Sequence, residues 1–156
     1  MNILKVKKLH PNAALPTQAH DTDSGYDIVA LEDGKISEDG RYVEYQTGIA
    51  IAPTTGYHIL IHPRSSISKY DLVLANSIGL VDQDYRGQVM CRFKIVPPYI
   101  KPSEFQYDHF VPKLYVKGDK IAQLVIEKTE HAKIQEVTDL DETVRGAGGF
   151  GSTGEK

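Results

Sequence analysis

Five short segments of this 156-residue chain hold the residue types that could do chemistry, and each interrupts an otherwise strand-like pattern. They are Asp23-Ser24-Gly25-Tyr26-Asp27, ending on a carboxylate; Pro63-Arg64-Ser65-Ser66, a cation followed by two hydroxyls; Asn76 through Gly87, reading NSIGLVDQDYRG; Gly118-Asp119-Lys120-Ile121-Ala122-Gln123-Leu124; and Arg145 through Gly154, reading RGAGGFGSTG. Glycine-rich backbone can approach phosphate oxygens closely and aim N–H groups at them. Arginine and serine add charge-assisted hydrogen bonds. A carboxylate nearby can hold Mg²⁺ through water or prepare an attacking water. The combination points to a polyphosphate site. The last segment is not a P-loop, because it lacks the glycine-lysine-serine/threonine order and the strand–helix frame of that motif. Its glycine content alone does not establish phosphate binding.

These segments must be positioned by strands. Ile3–Leu9 alternates apolar and basic residues. Arg41–Pro53 is rich in Tyr, Val, Ile and Thr and stops at a proline. Tyr57–His62 places Tyr57, Ile59 and Ile61 on one face, and Gln88–Val96 and Ile121–Glu127 complete the clear strands. Asp33-Gly34, Asp39-Gly40, Thr55-Gly56 and Lys117-Gly118-Asp119 supply turns between them. Many short strands punctuated by Gly and Pro predict an all-β sandwich or closed barrel. The best helix candidate is Ser66–Val73, whose leading serines could cap it. Pro97–Pro112 holds four of the eight prolines together with Tyr99, Phe105, Tyr107 and Phe110, and reads as an ordered surface excursion. Arg145–Gly154, with five glycines in ten residues, reads as a tail or as an arm that orders on a ligand or another subunit. Residues 1–144 form one domain in this reading and residues 145–156 the arm.

Composition bounds the partners. The formal net charge of −3 argues against a protein that coats nucleic acid, which needs a basic surface, but not against a nucleotide ligand. No apolar run is long enough to span a bilayer as a helix, so no membrane partner is expected. The N-terminus reads as a strand and not as a secretory leader. The single cysteine, Cys91, lies in an apolar run and reads as a buried thiol in a reducing, cytoplasmic compartment. The six histidines (His10, His20, His58, His62, His109 and His131) show no metal-ligand spacing and read as surface or packing residues.

In this order, the five segments resemble the five motifs of the trimeric dUTPase family, from about Ala19 to Gly154, with GLVDQDYRG and RGAGGFGSTG the most specific stretches. The resemblance implies a jelly-roll-like β-barrel that assembles as a homotrimer with sites at subunit interfaces. It implies Mg²⁺-dependent hydrolysis of dUTP to dUMP and pyrophosphate, which supplies dUMP for dTTP synthesis and keeps uracil out of DNA. By the same resemblance Asp82 orients and activates the attacking water, and Gln123 lies near it and the α-phosphate. Asn76, Gly79 and the hairpin around them read uracil, and Tyr85 packs on the deoxyribose, excluding a 2′-hydroxyl. Arg64, Ser65 and Ser66 contact phosphate, although the family more often has glycine where Ser66 stands. Asp27 reaches the metal through water. Arg145, Gly151 and Ser152 of the arm grip the phosphates, and Phe150 stacks over the base. Asp84 reads as a structural partner of the turn or of Arg86.

Two other functions fit parts of the sequence. A dCTP deaminase shares the fold and a similar Arg-Ser-Ser segment, but it needs a general acid–base glutamate on the strand after the third motif. Arg92 stands at that position, and arginine cannot shuttle protons at neutral pH. The deaminase also usually carries tryptophan where this chain has Tyr85. A nucleotide-sensing regulatory protein is the alternative of another class, with residues 97–112 as the surface for a protein partner.

Overall fold

The computed structural model describes residues 3–97 and 110–149. Among them nine β-strands carry the fold: β1 (Lys5–Lys8), β2 (Tyr26–Val29), β3 (Lys35–Ile36), β4 (Val43–Ala52), β5 (Tyr57–Pro63), β6 (Leu72–Leu74), β7 (Gly79–Val81), β8 (Gln88–Ile95) and β9 (Lys120–Lys128). All pairings are antiparallel. One sheet runs β1-β4-β8-β6 with β3 added on β4; the other runs β2-β9-β5-β7. The expected all-β, jelly-roll-like architecture is the observed one, and the strands read from the sequence agree with it to within about two residues at each end.

The two sheets bury a shared core. Val43, Tyr45, Ile51, Cys91 and Phe93 meet Ile28, Ile59, Ile61 and Leu124, all nearly inaccessible. Tyr45, Phe93 and Tyr115 pack edge to face with ring centroids 5.7, 5.9 and 5.6 Å apart, the arrangement that ring quadrupoles favour. Burial pushes the Cys91 thiol up to about 12, so it stays protonated and inert. β4 bends at a bulge between Gln46 and Ala50. There Gly48 takes φ +68°, and the neighbouring Thr47 hydroxyl donates to the Val89 carbonyl at 2.6 Å.

The helix expected over Ser66–Val73 does not form. Ser65–Lys69 is a 3-10 helix, and Leu72–Leu74 is strand β6 paired with β8. Leu72 and Leu74 are buried while Val73 is exposed, a period of two that pairing with β8 enforces. No serine caps this helix: Arg64 occupies the cap position in extended conformation, and Ser68 Oγ donates to the Ser65 carbonyl. The excursion expected at Pro97–Pro112 falls mostly outside the described residues.

Candidate active site

The third motif carries the chain from one sheet to the other. After β6 the chain turns through Asn76 and Ser77, the latter at φ +60°, and enters the second sheet as β7 with Gly79 opposite Ile61. A Cβ on Gly79 would lie 3.2 Å from Ile61 Cβ and 3.3 Å from Asn76 Nδ2, so glycine here lets the Asn76 amide lie close against the strand. Beyond β7, Asp82–Tyr85 forms a turn closed by the Tyr85 N–H donating to the Asp82 carbonyl at 3.1 Å. Arg86 Nη1 braces it, donating to the carbonyls of Gln83 at 2.6 Å and Tyr85 at 2.8 Å. Of the two partners expected for Asp84, the turn or Arg86, the second is corrected: backbone carbonyls, not the Asp84 carboxylate, receive the guanidinium. Tyr85 folds back on the start of β8, its hydroxyl donating to the Gln88 carbonyl at 3.1 Å. A side chain on Gly87 would overlap that ring.

This crossing segment borders a cavity of about 450 Å³ between the sheets, lined by Asn76, Gly79, Asp82 and Tyr85 over an apolar floor that includes Ile61 and Val89. Apolar walls with a few fixed polar groups suit a flat heterocycle and a sugar. Arg92, at the rim, donates to Glu44 at 2.7 Å and lies over the Tyr42 ring.

A second cluster forms on the outer face of the β2-β9-β5-β7 sheet. β9 lies between β2 and β5, so Gln123 faces Asp27 on one side and His62 on the other. Gly25 packs against Gln123, where an added Cβ would come within 3.2 Å of Gln123 Cβ. Asp27 is only 4% exposed although it carries a charge. Arg64 Nε donates to its Oδ1 at 2.7 Å, Arg64 Nη2 reaches Oδ2 at 3.5 Å, and Lys120 Nζ lies 2.8 Å from Oδ2. Burial pushes the Asp27 carboxyl up, but the hydrogen bond from Lys120 and the charge of Arg64 outweigh it and hold the group below its ordinary value. Arg64 Nη1 also reaches Ser66 Oγ at 3.4 Å. Two cations on one carboxylate leave a net positive charge facing solvent, which suits phosphate.

Of the residues singled out in the sequence, Asn76, Gly79, Asp82 and Tyr85 thus share one cavity. Asp27, Arg64, Ser66 and Gln123 gather on the other sheet face, with Ser65 opening the 3-10 helix beside them; none of these lines the cavity. Arg145 is exposed and donates to the Gly148 carbonyl at 2.9 Å. Phe150, Gly151 and Ser152 lie outside the described residues. Lys120 was not singled out. It lies within a quoted motif, but its approach to Asp27 depends on the β2–β9 register, which no local pattern prints.

The comparisons with known proteins complete this picture. The dUTPase family model matches residues 11–97 and 111–154. This chain belongs to the dUTPase family. The deoxyuridine 5'-triphosphate nucleotidohydrolase of Thermobifida fusca is 40% identical over 152 residues, covering 97% of this chain and 78% of that protein. That of Corynebacterium glutamicum is 40% identical and covers 97% and 94%. Among solved structures, the dUTPase of Staphylococcus bacteriophage 80alpha with dUPNHPP superposes with a TM-score of 0.74 at 28% identity, covering 99% of this chain and all of that one. A dUTPase from phage phi11 of S. aureus, described as coordinating a structural Mg(II) ion, gives a TM-score of 0.64 at 28% identity over 88% of this chain and 97% of that one. The dUTPase family match includes the residues of both clusters, and only residues 98–110 fall between its two matched stretches.

Magnesium can be tested against the residues present. Among the described residues no group of three His, Cys, Asp or Glu side chains could cage a metal. Asp27 has three of its acceptor positions taken by Arg64 and Lys120, out of about four that a carboxylate offers. One remains for a bridging water. The donor set therefore fits an ion that arrives on a phosphate chain and touches the protein through water.

Proposed function

We propose that this dUTPase hydrolyses dUTP to dUMP and pyrophosphate by attack of water on the α-phosphorus, in sites completed between three copies of the chain. The observation that carries the proposal is the division of the machinery. Base- and sugar-type contacts line one cavity, phosphate-type contacts lie on another face, and the family's reaction needs both on one substrate. A homotrimer unites them if the cavity of one copy meets the cationic cluster of the next. The outer face of the β2-β9-β5-β7 sheet supports an interface, since Leu80 is 62% exposed there where a solvated face would be polar. The chain after β9 supports it too: Ile134, Leu140 and Val144 are 96%, 84% and 112% exposed, apolar side chains suited to lie on a neighbour.

The residues take the following parts. The Asn76 amide and the neighbouring backbone pair with the uracil edge; cytosine reverses that donor–acceptor pattern and leaves buried groups unpaired. The Tyr85 ring, fixed by its bond to Gln88, closes the sugar pocket against a 2′-hydroxyl. Arg64, Lys120 and the Ser65 and Ser66 hydroxyls hold the phosphates, with Asp27 keeping the two cations in place; Asp27 is also the residue that would hold Mg²⁺ through water. Asp82 accepts a hydrogen bond from the attacking water and aligns it with the phosphorus, and Gln123 supports that water. Mg²⁺, when bound, neutralises the triphosphate and stabilises the departing pyrophosphate. Arg145, Gly151, Ser152 and Phe150 close over the substrate and exclude bulk water. The test is pyrophosphate release from dUTP, dCTP, dTTP and UTP, each with Mg²⁺ and with EDTA. Mg²⁺-stimulated release from dUTP alone is expected. Ammonia from dCTP would instead establish a deaminase, and silence from a folded protein that still binds dUTP would establish a sensor.

A further inference from the structure

Gln83 stands between the proposed water-orienting Asp82 and Asp84, yet its side chain leaves the turn altogether. Its Oε1 accepts the N–H of Gly56, 27 positions away in sequence, at 2.6 Å. Gly56 is the left-handed residue of the β4–β5 turn, at φ +82°. The Gly56 carbonyl in turn accepts the N–H of Thr129 at 2.8 Å. Thr129 is the first residue after β9, and its hydroxyl lies 3.0 Å from His58 Nδ1. One glycine backbone thus ties the Asp82 turn to the point where the C-terminal segment departs.

The far side of that turn is open. A cleft of about 470 Å³ separates Asp82 and Asp84 from His58, Thr129 and His131. Asp82 borders this cleft as well as the base cavity, so side-chain packing does not confine it from both sides. Hydrogen bonds must do so. The Arg86 contacts are local to the turn and set its curvature. The Gln83–Gly56 bond instead joins the turn to a different element.

We propose that Gln83 is a positioning residue for the hydrolysis: by accepting the Gly56 N–H it holds Asp82 at the angle from which the attacking water is aligned. This rests on the reading of Asp82 given above. Displacing an aligned group by about 1 Å can cost up to about a hundredfold in rate, and one side-chain bond over an open cleft is a lever of that size.

Gln83→Met keeps the length and removes the acceptor, whereas Gln83→Glu keeps an oxygen in place. The Met variant is expected to lower kcat about tenfold, with KM for dUTP unchanged within about twofold, and the Glu variant to restore most of the rate. A merely structural role would lower Tm without changing kcat per folded molecule. A Met variant at full rate, or a Glu variant as slow as the Met one, would overturn the inference. Asp82→Asn measured in parallel separates the two readings. An inactive Asp82→Asn variant beside a fully active Gln83→Met overturns only the positioning role, whereas normal turnover in Asp82→Asn removes the assignment on which it rests.

Discussion

Asp27 illustrates how one side chain can serve a site by holding others. Its oxygens take Arg64 and Lys120 together, and without its charge the two cations would repel. Asp27→Asn keeps an acceptor and loses that charge. We expect KM for dUTP to rise about tenfold, or about 1.4 kcal/mol, while binding of deoxyuridine, which has no phosphate, is unchanged; initial rates with dUTP and calorimetric titration with deoxyuridine check this, and equal losses for both would move Asp27 out of the phosphate site. The acid limb of stability carries the same signature. The folded-state carboxyl sits below its ordinary value of 3.8, so its stabilisation is complete above that pH and is lost as pH falls through the folded value. The fall in stability below about pH 4, followed by circular dichroism, should be shallower in the Asn variant. At this scale the sequence was informative about residue types and silent about partners. The carboxylate, the arginine and the glutamine all stand out in their motifs, but Lys120 joins them only because β2 and β9 pair in one register.

Strands were legible wherever polar and apolar residues alternate, as in Tyr57–His62, where Ile59 and Ile61 are the buried pair. Short elements were not. Leu72–Leu74 has only three residues, and its strand state comes from pairing with β8, a contact about twenty residues away in sequence that outweighs local propensity. The turns read from glycine divide by cause. Gly40, Gly56 and Gly118 take positive φ, whereas Gly34 is required by space, since a Cβ there would overlap Val43 and the Tyr45 ring. Gly34→Ala therefore presses on the buried Tyr45–Phe93–Tyr115 cluster. A loss of about 1–3 kcal/mol is expected, the usual cost of overpacking a core, measured by urea denaturation. Unchanged stability would mean that the segment entering β3 moves freely and that the cluster does not fix it.

The whole molecule divides its functional groups. Asn76, Asp82 and Tyr85 line a cavity between the sheets, while Asp27, Arg64 and Gln123 lie on an outer sheet face. The five motifs announce all of these residues in one linear order, and nothing in that order says which of them meet within a single copy. That separation depends on which face of which sheet each motif reaches, so it became visible only with the fold. It also makes the interface account testable without any structural method. Arg64→Ala and Asp82→Asn chains, each inactive alone, can be coexpressed with different affinity tags and recovered as mixed trimers by sequential purification. If each site takes Asp82 from one copy and Arg64 from the next around a threefold ring, every mixed trimer keeps about one third of its sites with both residues intact. Pyrophosphate release from dUTP should then return to roughly that fraction of the wild-type rate. Mixed trimers as inactive as either parent would contradict the account, because they would place Asp82 and Arg64 of one chain in the same site.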